Sequence, residues 1–273
     1  MINDDELALL NEVMASELGI VFPEHKRDIL ASRLRPRLQQ LRLRTFLDYW
    51  VVLQADRNNG RHEVAELASL VTNNESYFFR ETYQFEALFD AGLDELKQRA
   101  GGRAIRLLSA GCSSGEEPYT LNIFVRENQY RMFGYDVSID AFDVDAARVG
   151  MAMRAEYGRG ALRGATDEQL AKYFAPAGDA FRVKPLYRGG VSFRVGNLLR
   201  DEAYGPSPFY DAIFCRNVLI YFSEEMIRLA LARFYRALRP RGLLFLGHSE
   251  SIIGFSDAFE PERIGSCIAY RRT

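Results

Sequence analysis

The segment Leu107-Leu108-Ser109-Ala110-Gly111-Cys112-Ser113-Ser114-Gly115-Glu116-Glu117-Pro118-Tyr119 limits the fold more than any other part of the chain. It joins a buried strand, a turn of small residues and a helix start. In an α/β sheet such a junction approaches nucleotide-like ligands. The helix opens on two carboxylates, Glu116 and Glu117. A bare helix N-terminus attracts phosphate, whereas two acids repel it. The loop therefore suits an adenosine ligand that carries positive charge and lacks a pyrophosphate. S-adenosylmethionine, with its sulfonium and ammonium, has that chemistry.

From about residue 100 onward, short apolar strands alternate with helices. Ile105–Ser109 and Ser138–Asp143 read as strands, each followed by a helix, Glu116–Glu127 and Asp145–Ala155. Val191–Val195, Tyr210–Cys215, Leu243–Gly247 and Cys267–Arg271 read as further strands. Ser223–Leu238 is an amphipathic helix with Ser223 as N-cap and Arg239-Pro240-Arg241-Gly242 as its stop. Such alternation predicts a largely parallel, doubly wound sheet. Residues 156–190 interrupt it. A structureless loop of that length is unusual, so a small inserted subdomain is expected, with Phe181-Arg182-Val183 as one strand.

The first 71 residues read as helical. Leu7, Leu10, Met14 and Leu18 recur at helical spacing behind Asn3-Asp4-Asp5, an N-cap signal. Leu30, Leu34, Leu38 and Leu41 share one face of a second helix, with Arg33, Arg37 and Arg44 on another. Pro36 lies inside that pattern and predicts a kink or break. Phe46, Tyr49, Trp50 and Leu53 mark a third helix, Asn58-Asn59-Gly60 a turn, and Glu63–Val71 a fourth helix.

With 273 residues the chain has room for one large domain and a small one. Cys112, Cys215 and Cys267 have neither zinc nor disulfide spacing, and no metal site is expected. A reducing cytoplasm is the simplest setting. The acidic start argues against a signal peptide, and no apolar run approaches the ~20 residues that span a bilayer. Residues 25–44 carry seven Lys or Arg against one acid. The chain as a whole has net charge −2, so nucleic-acid binding is not expected.

Several polar groups fall where ligands bind in open sheets. Asp143 ends the second strand, where an acid accepts hydrogen bonds from ribose. It lies 28 positions after Gly115, wider than the ~20 of nicotinamide dinucleotide sites. Arg216 and Asn217 follow a buried strand end, and Tyr221 lies just beyond. Asn74-Glu75-Ser76-Tyr77-Phe78-Phe79-Arg80-Glu81 joins the two halves; its paired Phe residues suggest packing between domains. His248, in Gly247-His248-Ser249-Glu250, reads as a structurally satisfied imidazole.

The linker motif, Gly115–Tyr119, Phe214–Phe222 and Gly247–Glu250 occur together in this order. The set resembles the CheR family of chemotaxis receptor glutamate methyltransferases, over nearly the whole chain. The resemblance implies an α/β fold: a Rossmann-like class I methyltransferase domain with an inserted small antiparallel β-subdomain, behind a small all-α domain. The corresponding segments are 1–71 (helical domain), 72–90 (linker) and 91–273 (methyltransferase domain, with 156–190 inserted). It implies S-adenosyl-L-methionine as cofactor, leaving as S-adenosyl-L-homocysteine. Asn74, Ser76, Arg80, Glu117, Asp143, Asn197, Leu198, Arg216 and Asn217 would contact it. Among these Glu117 takes the methionine end, Asp143 the ribose, and Asn197 and Leu198 the adenine. Arg80 and Tyr221 would lie nearest the reacting centre.

The implied reaction is methyl transfer to a glutamate carboxylate. That group is ionised at neutral pH, with a reference pKa near ~4.3, so neither base nor acid is required. Arg80 would orient one carboxylate, the substrate's or the cofactor's own. The expected partners are cytoplasmic signalling helices of chemotaxis receptors, met by a monomer recruited to membrane arrays without inserting in the membrane. Arg33 and Arg37 are the expected docking residues. The stretch Tyr173–Val183 looks too short for the loop with which some relatives bind a receptor C-terminal pentapeptide, so independence of that peptide is expected. The competing readings are a nicotinamide oxidoreductase, a catalytically silent cofactor-binding adaptor, and a carboxyl methyltransferase acting outside chemotaxis. The paired acids and the wide Gly-to-Asp spacing argue against the first.

Overall fold

The computed structural model describes residues 1–273 except Asn58, Arg61, Asn74 and Pro206. The chain begins with α1 (Asp4–Leu18), α2 (Arg27–Gln40), α3 (Phe46–Arg57) and α4 (His62–Val71). A capping box between Asn3 and Glu6 starts α1, and Gly19 ends it in the left-handed conformation. Leu7, Leu10, Met14, Leu30, Leu34, Leu38, Phe46, Tyr49 and Leu53 meet in one apolar core. α2 continues through Pro36 without the expected break. Proline removes the N–H that would reach Ser32. Both residues are exposed, so water can take the freed carbonyl.

The linker leads into α5 (Tyr83–Asp90) and α6 (Leu93–Ala100), then β1 (Ile105–Ala110), α7 (Glu116–Glu127), β2 (Val137–Asp143) and α8 (Ala146–Arg154). The inserted region holds β3 (Glu156–Tyr157), α9 (Asp167–Tyr173), β4 (Phe174–Ala177), β5 (Ala180–Val183) and the single turn α10 (Pro185–Arg188). The chain closes with β6 (Val191–Val195), β7 (Tyr210–Cys215), α11 (Glu224–Ala237), β8 (Leu238–Leu246), β9 (Phe259–Ile264) and β10 (Cys267–Arg272).

Among the described residues, seven strands form one sheet in the order β6-β2-β1-β7-β8-β10-β9. β10 runs antiparallel to both β8 and β9, while β6, β2, β1, β7 and β8 pair in parallel. The expected stop at Arg239–Gly242 lies instead within β8, which starts directly at the helix end and slips register opposite Tyr210–Ala212. β3, β5 and β4 form a separate antiparallel sheet. Phe78 packs edge-on against Tyr157 and Phe174, 4.8 Å away in each case. The linker's paired Phe residues thus pin it to the inserted subdomain.

The helical unit is tied to the sheet unit by polar contacts. The Ser69 hydroxyl donates to Asp145 Oδ1 at 2.6 Å, and Asp145 also caps α8. Buried Glu17 pairs with Arg57 of its own unit and with Arg200 of the other. Ile20 makes an antiparallel bridge to Phe222.

Arg37 is turned inward. Its Nε and Nη2 donate to Glu63 at 2.9 and 2.6 Å, and the Tyr49 hydroxyl donates to the same carboxylate at 2.9 Å. Removing one partner of a buried pair leaves the other uncompensated. We expect Glu63→Ala to lower stability by about 3 kcal/mol in urea denaturation.

Candidate cofactor site

The sheet order turns at β1, whose neighbours β2 and β7 are reached by connections leaving in opposite directions. A crevice opens at such a switch point. Loops following β1, β2, β6 and β7 meet the linker and residues 18–33 of the helical unit around a cavity of about 610 Å³.

The loop after β1 is fixed by β2. The N–H groups of Gly111 and Cys112 both donate to the Phe142 carbonyl, at 2.9 and 3.0 Å. Gly111 has φ +81°, and a Cβ there would lie 2.7 Å from Val218 Cγ2. The loops after β1 and β7 therefore touch at a position only glycine fits. Asp143 accepts from the Ser113 N–H at 2.7 Å and the Asp145 N–H at 2.9 Å. The Val144 N–H also reaches this carboxylate, which as a four-site acceptor can still take a hydroxyl of a ligand. Burial pushes the Asp143 pKa up to about 6 despite these bonds. Burial, and next the Asp143 charge, push the Cys112 thiol well above its ordinary value.

The two acids of α7 separate in role. Glu116 accepts from the Ser114 hydroxyl at 2.8 Å and from the Ser76 hydroxyl, and it does not line the cavity. Glu117 lines the cavity and accepts from Ser109 Oγ at 2.7 Å. Ser76 also lines the cavity, with its hydroxyl engaged by Glu116.

Arg216 organises the floor. Its side chain is 3% exposed. Nη1 contacts Glu117 at 3.2 Å, and Nη2 donates to the Arg80 carbonyl at 2.6 Å and faces Glu81 at 3.4 Å. Its Nε is buried without a hydrogen-bond partner among the described residues. Burial raises the Glu117 pKa, against the pull of Arg216. Burial also acts to raise Glu81, but the His248 hydrogen bond and Arg216 outweigh it and the pKa falls. Two carboxylates thus meet at one guanidinium, and Glu81 also faces Arg80 and His248.

Arg80 lines the cavity, with its guanidinium 5.5 Å from the Tyr77 ring centroid and 3.8 Å from the Glu81 carboxylate. Tyr221 lines it too, its hydroxyl accepting from Asn73 Nδ2 at 2.6 Å. Asn217 adopts φ +60°. Asn197 and Leu198 line the cavity as well, and the Asn197 amide donates to the Glu17 carbonyl, across the two units. Asn74 lies outside the described residues. Arg33 reaches the cavity wall, where Nη1 donates to the Val71 carbonyl at 2.7 Å. Arg37, in its ion pair with Glu63, does not line it.

Sequence reasoning assigned no role to Glu81, Asn73 or Glu250, and it read His248 only as a satisfied imidazole. His248 Nδ1 is 2.8 Å from Glu81, which carries that histidine's bond into the Arg216 network. Four residues of this region, Phe79, Glu81, Ser113 and Asn217, hold positive φ without being glycine. Backbone strain of this kind collects at ligand sites.

The family model described as "CheR methyltransferase, all-alpha domain" matches residues 5–72, and "CheR methyltransferase, SAM binding domain" matches 74–267. The chain belongs to the CheR methyltransferase family. It is 35% identical to Chemotaxis protein methyltransferase 1 of Pseudomonas aeruginosa, over 97% of each chain. It is 37% identical to the Chemotaxis protein methyltransferase of Vibrio parahaemolyticus, over 99% of this chain and 98% of the other. The Escherichia coli protein of the same name is 34% identical, over 92% of this chain and 85% of its own.

S-adenosyl-L-methionine is the cofactor of this CheR-family chain, and the donor set fits it. Asp143 and Glu117 offer carboxylates, Arg216 Nε has no partner among the described residues, and the acids opening α7 disfavour a pyrophosphate.

The raised Asp143 pKa has a definite pH signature. Its folded value, about 6, exceeds the unfolded ~3.9. Ionising it therefore costs stability as pH rises from about 4 through 6. A ligand that needs the carboxylate binds the ionised form. We expect S-adenosyl-L-homocysteine affinity in calorimetry to fall below about pH 6, by about tenfold per pH unit. Asp143→Asn should bind weakly and lose that slope.

Proposed function

We propose that this chain methylates glutamate side chains of chemotaxis receptors, giving glutamyl methyl esters that set sensory adaptation. The observation that carries the reading is Arg80. It is a cavity-lining guanidinium that faces the Glu81 carboxylate only at 3.8 Å, which leaves its paired N–H groups for another carboxylate. Bound S-adenosyl-L-methionine supplies an electrophilic methyl group on a positively charged sulfur. The protein's task is then alignment and the exclusion of water, because the attacking carboxylate is already ionised. Arg80 holds one carboxylate by paired hydrogen bonds. Tyr221, steadied by Asn73, lines the same cavity and serves the transfer site. Glu117 and Asp143 hold the methionine end and the ribose, Asn197 and Leu198 flank the adenine, and Ser76, Arg216 and Asn217 complete the contacts. Asn74 is assigned to the same contacts from its motif alone.

The segments 1–71, 72–90 and 91–273 serve docking, cofactor contact and catalysis in this reading. The protein acts as a cytoplasmic monomer recruited to receptor arrays. With Arg37 paired internally and Arg33 bound to the end of α4, the charge offered to an acidic receptor helix falls to the exposed Arg35, Arg42 and Arg44. The β4–β5 hairpin turns through Gly178 and Asp179 alone, in keeping with independence of a tail pentapeptide.

Incubation with radiolabelled S-adenosyl-L-methionine and a receptor signalling domain should place base-labile label on the receptor. Arg80→Ala should lower that rate by about 10²-fold. Cofactor binding without transfer would favour the adaptor instead, and base-stable label would exclude the ester. The double reversal Arg35→Glu with Arg44→Glu should slow transfer at low salt and matter little near 0.5 M. A tail pentapeptide titrated in the same buffers should give no heat.

A further inference from the structure

Glu250 stands in the turn after β8. Its carboxylate accepts four backbone N–H groups. Oε1 takes those of Val218 and Ile220, at 2.9 and 3.3 Å. Oε2 takes those of Asn217 and Gly247, both at 2.7 Å. Three of the four donors belong to the loop that leaves β7. Gly247 reinforces the grip, since a Cβ there would lie 2.8 Å from the Asn217 nitrogen. Glu250 does not itself line the cavity.

The loop it holds is a cavity wall. Arg216 precedes the held segment and carries the buried charge network. Val218 packs on Gly111, and the Tyr221 hydroxyl accepts from Asn73, another residue lining the cavity. The segment contains Asn217 with φ +60°, a conformation the chain keeps only when its surroundings impose it. A carboxylate has lone pairs for four donors, whereas a glutamine amide of the same size turns an NH₂ toward two of them.

We propose that Glu250 is a positioning residue for the cofactor: it sets the loop 216–221 through the backbone and so shapes the wall that S-adenosyl-L-methionine meets. The competing explanation is a turn cap that adds only to global stability. The two differ in where a substitution acts. The proposal rests on the family's cofactor and not on the identity of the methyl acceptor.

The test uses the full chain with Glu250→Gln and Glu250→Asp, and Ser249→Ala as a neighbouring control. We expect Glu250→Gln to weaken S-adenosyl-L-homocysteine binding in calorimetry by about tenfold or more. Amide exchange should quicken at Asn217, Val218 and Ile220 in the ligand-free protein, while β1 and α11 stay protected. Glu250→Asp keeps the charge on a shorter arm and should fall between. Ser249→Ala should match wild type. Affinity within twofold of wild type despite faster loop exchange would overturn the proposal. So would faster exchange spread evenly over the whole chain. If Glu250→Gln does not fold, the same criteria apply to Glu250→Asp. Absent receptor methylation by the wild type would refute the receptor reading while leaving both measurements intact.

Discussion

A buried arginine is costly unless its charge is answered, and the centre of this protein is arranged around one. Arg216 leaves the end of β7 and meets carboxylates from α7 and the linker, plus the linker's own carbonyl. One side chain thereby ties the sheet, the first crossover helix and the connecting segment to a common point. The aromatic ring of Phe85, 5.0 Å below its guanidinium carbon, closes the apolar side. Removing any of these partners exposes the others, so the region is expected to move as a unit.

The second constraint is that the cavity is not the property of the sheet alone. Its walls include the end of α1, the segment after it and the end of α4. The bridge from Ile20 to Phe222 and the sharing of Glu17 between Arg57 and Arg200 hold that wall in place. The helical unit is therefore part of the cavity's enclosure. α2 contributes at both scales: Arg33 faces the cavity, and exposed Arg35 faces outward two positions further on.

Much of this was legible in the sequence because periodicity reports burial. Glu116–Glu127, Val191–Val195 and Tyr210–Cys215 were read with the bounds they have, since their apolar spacing is regular and flanked by turn residues. The short helices α5 and α6 and the edge strand β9 were not resolved. β9 reads Phe-Glu-Pro-Glu-Arg-Ile, and its outer face is charged, so hydrophobicity alone says little. Of the paired acids, Glu117 lines the cavity and Glu116 does not. The fate of Arg37 was not legible, because it depends on Glu63, 26 positions away and on another helix. Glu250 escaped for a related reason. Its partners are peptide N–H groups, which every sequence contains and no pattern marks.

The thiol of Cys112 shows a less obvious demand on such a site. It sits in the wall of the cavity proposed for the methyl donor, and an ionised thiol there would be a better nucleophile than any carboxylate. Burial and the neighbouring acids Asp143, Glu117 and Glu116 all act to keep its proton in place. Asp143 and Glu117 line the cavity as well, so the charges that face a ligand also disarm the protein's own sulfur. An enzyme built this way is guarded against modifying itself by the same charges that load it.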